Sequence, residues 1–334
     1  MLPLTHMNGD PSNRVIGIDI SGAFGTGIRG ALVDGAATVL ATKEVITPRG
    51  GADELVATLA TMAGRLAESA KRDGKAPAAV GVACPGVVDE TTGVVHRSSN
   101  LGLTEVRLAQ LLRDRVGLPT FLMHDSSAGA LAESLVGVGR GVSDLLLMVV
   151  GNGVGAAAIS DGRVIRGAHG SAGELGHISV DANGLPCSCG GRGCVETFAS
   201  EPSLAKRYTM AAKEAISADE VIARAMRGHP AAARVWNDAL SALALVLSSA
   251  VAMIDCELIV FSGTLTIPTA AVAPLRSLLA KRMNFVTPPR IEAGALGGNA
   301  GVLGAAAIAF ENGGLADVVH SWRDSPLHAV RGAA

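Results

Sequence analysis

Three of the five cysteines, Cys187, Cys189 and Cys194, fall within eight residues of one another in a glycine-punctuated stretch, GELGHISVDANGLPCSCGGRGCVE. His177 lies upstream with nine residues before Cys187, and Glu174 and Glu196 bracket the set. Glycines let a backbone fold sharply around a small object. A group of three thiolates and one imidazole suits tetrahedral Zn²⁺ closed by four protein ligands. The competing reading is a disulfide with chance surface thiols, and it is the weaker because thiols so spaced in an intracellular-looking chain more often bind metal. Cys84 and Cys256 sit in apolar contexts and read as buried thiols.

The order H-x9-C-x-C-G-x-x-G-C-x-E, preceded by G-E-x-G-H, resembles the ROK family of repressors, open reading frames and sugar kinases. It is carried by Glu174, Gly176, His177, Cys187, Cys189, Gly190, Gly193, Cys194 and Glu196. The resemblance implies a structural zinc on His177, Cys187, Cys189 and Cys194. It further implies that Glu174, His177 and Glu196 hold a sugar, His177 turning one ring nitrogen to the metal and the other to a hydroxyl. A metal-bound imidazole has its tautomer fixed, so its second nitrogen is a dependable donor.

The elements that must position this loop come from the rest of the chain. At 334 residues, with 49% hydrophobic and 17% charged residues, about two domains with a sizeable core are expected. A net charge of -2 and 3% aromatic content give no reason to expect nucleic acid or a membrane surface as partner. The first 13 residues lack a basic start and an apolar run, and no uninterrupted apolar run reaches transmembrane length, so a cytoplasmic protein is expected.

Arg14 to Asp19 reads as a strand, followed by a glycine-rich turn, Ser21 to Gly27, and a second strand. An acid at a strand end beside such a turn can face a metal–phosphate group while backbone N–H groups meet phosphate oxygens; an ordinary hairpin is the alternative. The turn resembles the family's first phosphate loop, D-x-G-G-T-K, but is about three residues longer, with Ser21 at the first glycine and no lysine. Asp19, Gly22, Gly25 and Thr26 are its candidate nucleotide contacts. Gly151-Asn152-Gly153-Val154-Gly155 is similar to the second phosphate loop, with Asn152 for Thr, and Ser262-Gly263 to the family's G-G on the adenine side.

Ser98-Ser99-Asn100-Leu101 is similar to the S-P-N-L segment near the sugar, though asparagine also favours turns on its own. Thr120 to Met123 reads as a strand running into His124-Asp125-Ser126-Ser127-Ala128, whose alanine-rich continuation reads as a helix. Asp125 could simply cap that helix. The stretch is similar to the family's N-D-x-N-A-A-x-x-E, in which the Asp is the catalytic base; His124 and Ser127 replace the two asparagines. Elsewhere 52–72 has helical spacing with Leu55, Leu59, Met62 and Leu66 on one face, and helices are expected over 218–225, 229–253, 275–281 and 297–310.

Strand–helix alternation with an early meander supports a two-domain α/β protein. The resemblance implies the actin-like ATPase (ribonuclease H-like) sugar-kinase fold: a small lobe of 14–123 plus 300–312, a large lobe of 124–299 with the zinc loop 173–196, tails at 1–13 and 313–334, and substrates in the cleft between lobes. It implies ATP-dependent phosphorylation of the 6-hydroxyl of glucose or a related hexose. Asp125 would be general base, Asn100, His124, Glu174, His177 and Glu196 sugar contacts, and Mg²⁺ would accompany ATP near Asp19. A homodimer or homotetramer is expected. Two alternatives remain: a kinase for a 3-modified or amino sugar such as kanosamine or N-acetylmannosamine, favoured by His124, and a non-catalytic sugar-binding protein, favoured by the altered nucleotide side. Thirteen residues before the first strand are too few for a winged helix, so a repressor is not expected.

Overall fold

The run RVIGID forms β1 (Arg14–Asp19), whose Val15, Ile16 and Ile18 are fully buried. The computed structural model describes residues 10–20, 27–72, 74–263 and 267–324. Gly22, Gly25 and Thr26 of the expected first phosphate loop, and the first tail except its last residues, lie outside these.

The chain continues through β2 (Gly27–Asp34), β3 (Val39–Ile46), α1 (Gly51–Arg72), β4 (Val80–Cys84), β5 (Val87–Asp89), β6 (Val94–Ser98), β7 (Leu103–Val106), α2 (Leu108–Val116), β8 (Thr120–His124) and α3 (Asp125–Val136). Next come β9 (Leu145–Val150), β10 (Val154–Ser160), β11 (Arg163–Val164), α4 (Glu196–Ala199), α5 (Glu201–Ala212), α6 (Ala218–Met226), α7 (Pro230–Ile254), β12 (Leu258–Ser262), α8 (Ile267–Arg282) and β13 (Arg290–Ala293). The last two helices are α9 (Ala300–Asn312) and α10 (Ala316–Asp324).

Two compact units result, one built from the described residues of Met1–Gly141, Arg166–Ser171 and Gly298–Ala334, the other from Val142–Ile165 and Ala172–Gly297. Each holds a five-stranded sheet of the same design. In the first unit the order is β3-β2-β1-β4-β8, antiparallel from β3 to β1 and parallel from β1 to β8. In the second it is β11-β10-β9-β12-β13, again three antiparallel strands followed by two parallel ones.

In the first unit α1 buries Leu55, Leu59, Met62 and Leu66, the face its spacing indicates. Helix α9 lies directly on the sheet because Gly81 offers no side chain: a Cβ there would stand 1.8 Å from the carbonyl oxygen of Ala305. Helix α3 approaches α9 as closely, since a Cβ on Gly304 would stand 1.9 Å from the carbonyl oxygen of Ala128. That contact is why 124–141 belongs with the first unit, where a boundary at 124 was expected. Such packing between segments far apart in sequence leaves no local mark.

The expected loose tail is corrected over 313–324, while 325–334 lie outside the described residues. Helix α10 occupies Ala316–Asp324 and buries Val318, Val319 and Trp322; the Trp322 indole N–H donates to the Gly35 carbonyl at 2.8 Å, and its ring meets Phe310 edge-on. Three apolar residues at helical spacing suffice to anchor an otherwise polar segment. The helix expected over 297–310 starts as a single 3-10 turn, Gly297–Asn299, and continues as α9 to Asn312. The small sheet β5-β6-β7 and helix α2 had no counterpart among the expected elements.

Among the described residues one helix, α7, is long and apolar enough to cross a membrane. Its Val235, Trp236, Leu243 and Leu247 are buried in the core of the second unit with Tyr208 and Phe261.

Candidate functional site

In the first unit three parallel strands end together. Register pairs Asp19 with Ala83 and Cys84 with His124, so Asp19, Cys84 and His124 arrive at the carboxyl edge of β1, β4 and β8. The carboxyl edge of a parallel sheet is where α/β proteins place ligands. Asp19 is 6% exposed, and its carboxylate lies against the first turn of α9, where a Cβ on Gly301 would stand 2.3 Å from Oδ2. The orphan N–H groups of a helix start favour an anion there. Burial, reinforced by the charges of Asp125 and Asp19, pushes the Cys84 thiol far up, so it is a neutral spacer at neutral pH.

Asp125 is the first residue of α3, and the capping position is held by His124, whose side chain makes no capping bond. Its Oδ1 accepts the backbone N–H of Ser126 at 2.6 Å and lies 3.3 Å from both Ser126 Oγ and His124 Nε2. Among the described residues no hydrogen bond reaches Oδ2. The carboxylate is therefore held by one oxygen, which takes up one of the free N–H groups of the helix start, and presents the other. Asn100 is exposed in the turn after β6, and Ser127 is buried.

In the second unit the glycine run Gly151–Gly155 forms the hairpin between β9 and β10, closed by the Gly151 N–H donating to the Gly153 carbonyl at 2.9 Å, with Asn152 exposed. Strand β12 runs parallel to β9 with Ser262 opposite Val149, which brings Ser262 and Gly263 to the same edge as the hairpin. Gly263 has φ +139°, and a Cβ there would stand 1.9 Å from the carbonyl oxygen of Val150.

The cysteine loop packs on β10, the Ala156 N–H donating to the Gly173 carbonyl at 3.1 Å. Glu174 leads into a single tight turn, Leu175–His177. Ligand atoms of His177, Cys187, Cys189 and Cys194 all lie within 4.8 Å of one another. Sγ of Cys189 and Cys194 are 3.7 Å apart, and Cys187 Sγ is 3.5 Å from His177 Nδ1. Tetrahedral zinc with Zn–S near 2.3 Å separates its ligands by roughly 3.8 Å, so the donor set fits that ion in both chemistry and spacing. All five cysteines are free thiols, which sets aside the disulfide reading. Burial, then the neighbouring thiols, push Cys194 up to about 12, while the Gly191 N–H holds Cys189 below the ordinary thiol range. A divalent cation would compensate the thiolates that burial disfavours.

The ring of His177 is oriented by this arrangement. Nδ1 faces the thiols, and Nε2 lies 3.8 Å from Glu174 Oε2. Glu196 Oε2 accepts the Val154 N–H at 3.1 Å, and its Oε1 accepts the Ser188 hydroxyl at 3.4 Å. Glu196 thus links the start of β10 to the cysteine loop. Ser126 and Ser188 escaped sequence reasoning, although each lies beside a residue of a recognised motif.

The repeated sheet design is the actin-like ATPase fold. The ROK family profile matches residues 15–312. The N-acetylmannosamine kinase of Citrobacter koseri is 31% identical over 296 residues, 88% of this chain and 98% of its own. The structure of a ROK family glucokinase from Streptomyces griseus in complex with glucose and AMPPNP superposes with a TM-score of 0.78 at 26% identity, covering 90% of this chain and 100% of that one. The DNA-binding transcriptional repressor Mlc of Escherichia coli is 37% identical over 126 residues, 37% of this chain and 31% of its own. The chain belongs to the ROK family.

Proposed function

We propose that the protein is an ATP-dependent sugar kinase that phosphorylates the 6-hydroxyl of a hexose, with Asp125 as general base. The observation that carries this reading is the carboxylate of Asp125, held through Oδ1 by Ser126 and His124 with Oδ2 available to a substrate hydroxyl. A base at hydrogen-bond reach of the attacking hydroxyl typically contributes ~10²–10⁴-fold. The larger share of acceleration would come from positioning and from neutralising charge on the phosphates. Similarity to a kinase over 88% of this chain and 98% of that relative's own length supports the same reading.

Glu174, His177 and Glu196 would orient the sugar, with Asn100 and His124 toward its other edge. Backbone amides of Gly151–Gly155 would meet phosphate oxygens, Ser262 and Gly263 the adenine side, and Asp19 the Mg²⁺ that accompanies ATP. Zinc, bound by His177, Cys187, Cys189 and Cys194, would fix the loop and take no part in the reaction. Free thiols around a metal suit a reducing compartment, in keeping with a cytoplasmic enzyme.

His124 favours a second substrate within this reading. An asparagine amide offers donor and acceptor on a short stem, whereas this larger ring already turns Nε2 to Asp125. A sugar altered at position 3 or 4, or an amino sugar such as N-acetylmannosamine, therefore stands beside glucose. The test is ADP release with Mg·ATP across glucose, mannose, allose, glucosamine, kanosamine and the N-acetylhexosamines. Turnover of one sugar well above the rest is expected; binding without turnover of any would make this a sugar-binding protein.

A further inference from the structure

The junction that carries Asp125 is tied to a residue pair outside every motif. Strand β8 is at the edge of its sheet, with β4 on one side only. The Val80 N–H donates to the Pro119 carbonyl, which fixes the register so that the N–H groups of 121 and 123 face β4 and those of 120, 122 and 124 face away. The outward N–H of His124, the last of the strand, is taken by Glu90 Oε1 at 3.4 Å. The other oxygen, Glu90 Oε2, accepts Nε of Arg166. Glu90 is well covered, with 16% of its side chain exposed, and Arg166 is half exposed.

Arg166 opens the segment Arg166–Ser171, the stretch in which the chain leaves β11 and rejoins the first unit before returning to the second. A Cβ on Gly170 would stand 2.5 Å from the carbonyl oxygen of Val88, so the segment is pressed against β5, just before Glu90. A covered carboxylate needs a compensating charge and a donor. Arg166 supplies the first and the His124 backbone the second.

We infer that Glu90 and Arg166 are positioning residues: the pair clamps the β8–α3 junction, and so sets where His124 and Asp125 stand. Because the backbone of His124 is held from outside the sheet, its ring can meet Asp125 Oδ1 while the helix begins at Asp125. Neither residue is among the proposed substrate contacts. The part of the inference that concerns turnover rests on the proposed kinase reading; the clamp itself does not.

Two readouts keep them separate. Hydrogen exchange of the full-length protein, read on peptides spanning 120–128, tests the clamp without any reaction. Glu90→Ala should speed exchange at the His124 amide by about tenfold or more, as expected when a local opening loses its closing contact. Arg166→Ala should have a smaller effect in the same peptide, and Glu90→Gln, which keeps an acceptor oxygen, should restore protection. In steady-state assays Glu90→Ala should lower kcat by about ten- to a hundredfold with the sugar KM nearly unchanged, since small misplacements of a reacting group act on that scale. Glu90→Gln should recover most of kcat.

Unchanged exchange over 120–128 in both alanine variants overturns the clamp. A lower melting temperature with unchanged kcat and unchanged junction exchange also overturns it, because the pair would then be merely structural. If the wild type turned over no sugar yet the exchange effects were seen, the clamp would stand and the kinase reading would fall.

Discussion

His124 Nε2 stands 3.3 Å from Asp125 Oδ1, on the same carboxylate oxygen that accepts the Ser126 N–H. The ring and the helix start together hold one oxygen of a carboxylate at the carboxyl edge of a parallel sheet. Changing His124 to Asn should therefore loosen Asp125 while shrinking one wall of the proposed sugar site. The expected outcome is a changed ranking of kcat/KM among hexoses, by about tenfold or more for sugars differing at positions 3 and 4, since sites that hydrogen-bond a hydroxyl discriminate strongly. An unchanged ranking across the sugar panel would remove His124 from specificity.

The four-donor cluster of His177, Cys187, Cys189 and Cys194 predicts one zinc per chain by elemental analysis. Cys189→Ser should lower that stoichiometry and the melting temperature together, and strong chelation of the wild type should do the same. Sugar affinity should fall with the metal, because the ring of His177 takes its orientation from the thiol side.

Gly263 should resist substitution. Its φ of +139° excludes most side chains, and a Cβ would collide with the Val150 carbonyl. Gly263→Ala should cost about 1–3 kcal/mol of stability, measured by denaturant unfolding. The damage should extend to the β9–β10 hairpin, seen as a raised KM for ATP.

Away from the site, Arg224 holds Glu214 and Glu220 by hydrogen bonds and keeps both carboxyls below their ordinary values. A lowered folded value means stabilisation that is present above the unfolded value and lost as pH falls through the folded one. Arg224→Gln should therefore lower the melting temperature slightly at pH 7. The difference should shrink as pH drops below about 4 and as salt is raised, since these groups are exposed.

What could be read from the chain alone followed the distance over which each feature is written. The metal set lies within 18 residues, from His177 to Cys194, and its donor types announce it. Asp125 was legible as the junction of an apolar strand and an alanine-rich helix. The partners of its oxygen were not, because a backbone N–H and the direction of the His124 ring leave no mark in the residue types. Glu90 and Arg166 are 76 residues apart and meet only because Arg166–Ser171 returns to the first unit. The end of that unit's first segment was misplaced for the same reason, since α3 is claimed by α9 through the close approach at Gly304. Helix α10 was hidden by its polar composition, with Val318, Val319 and Trp322 alone turned inward.

The central claim, that Asp125 is the base of a sugar kinase, is tested most directly by comparing wild type and Asp125→Asn in one experiment. ADP release and sugar binding by calorimetry would be measured on the sugar that the wild type prefers. The account predicts that the variant keeps sugar affinity within a few-fold while turnover falls by ~10²-fold or more. Turnover in the variant close to the wild-type rate would contradict it.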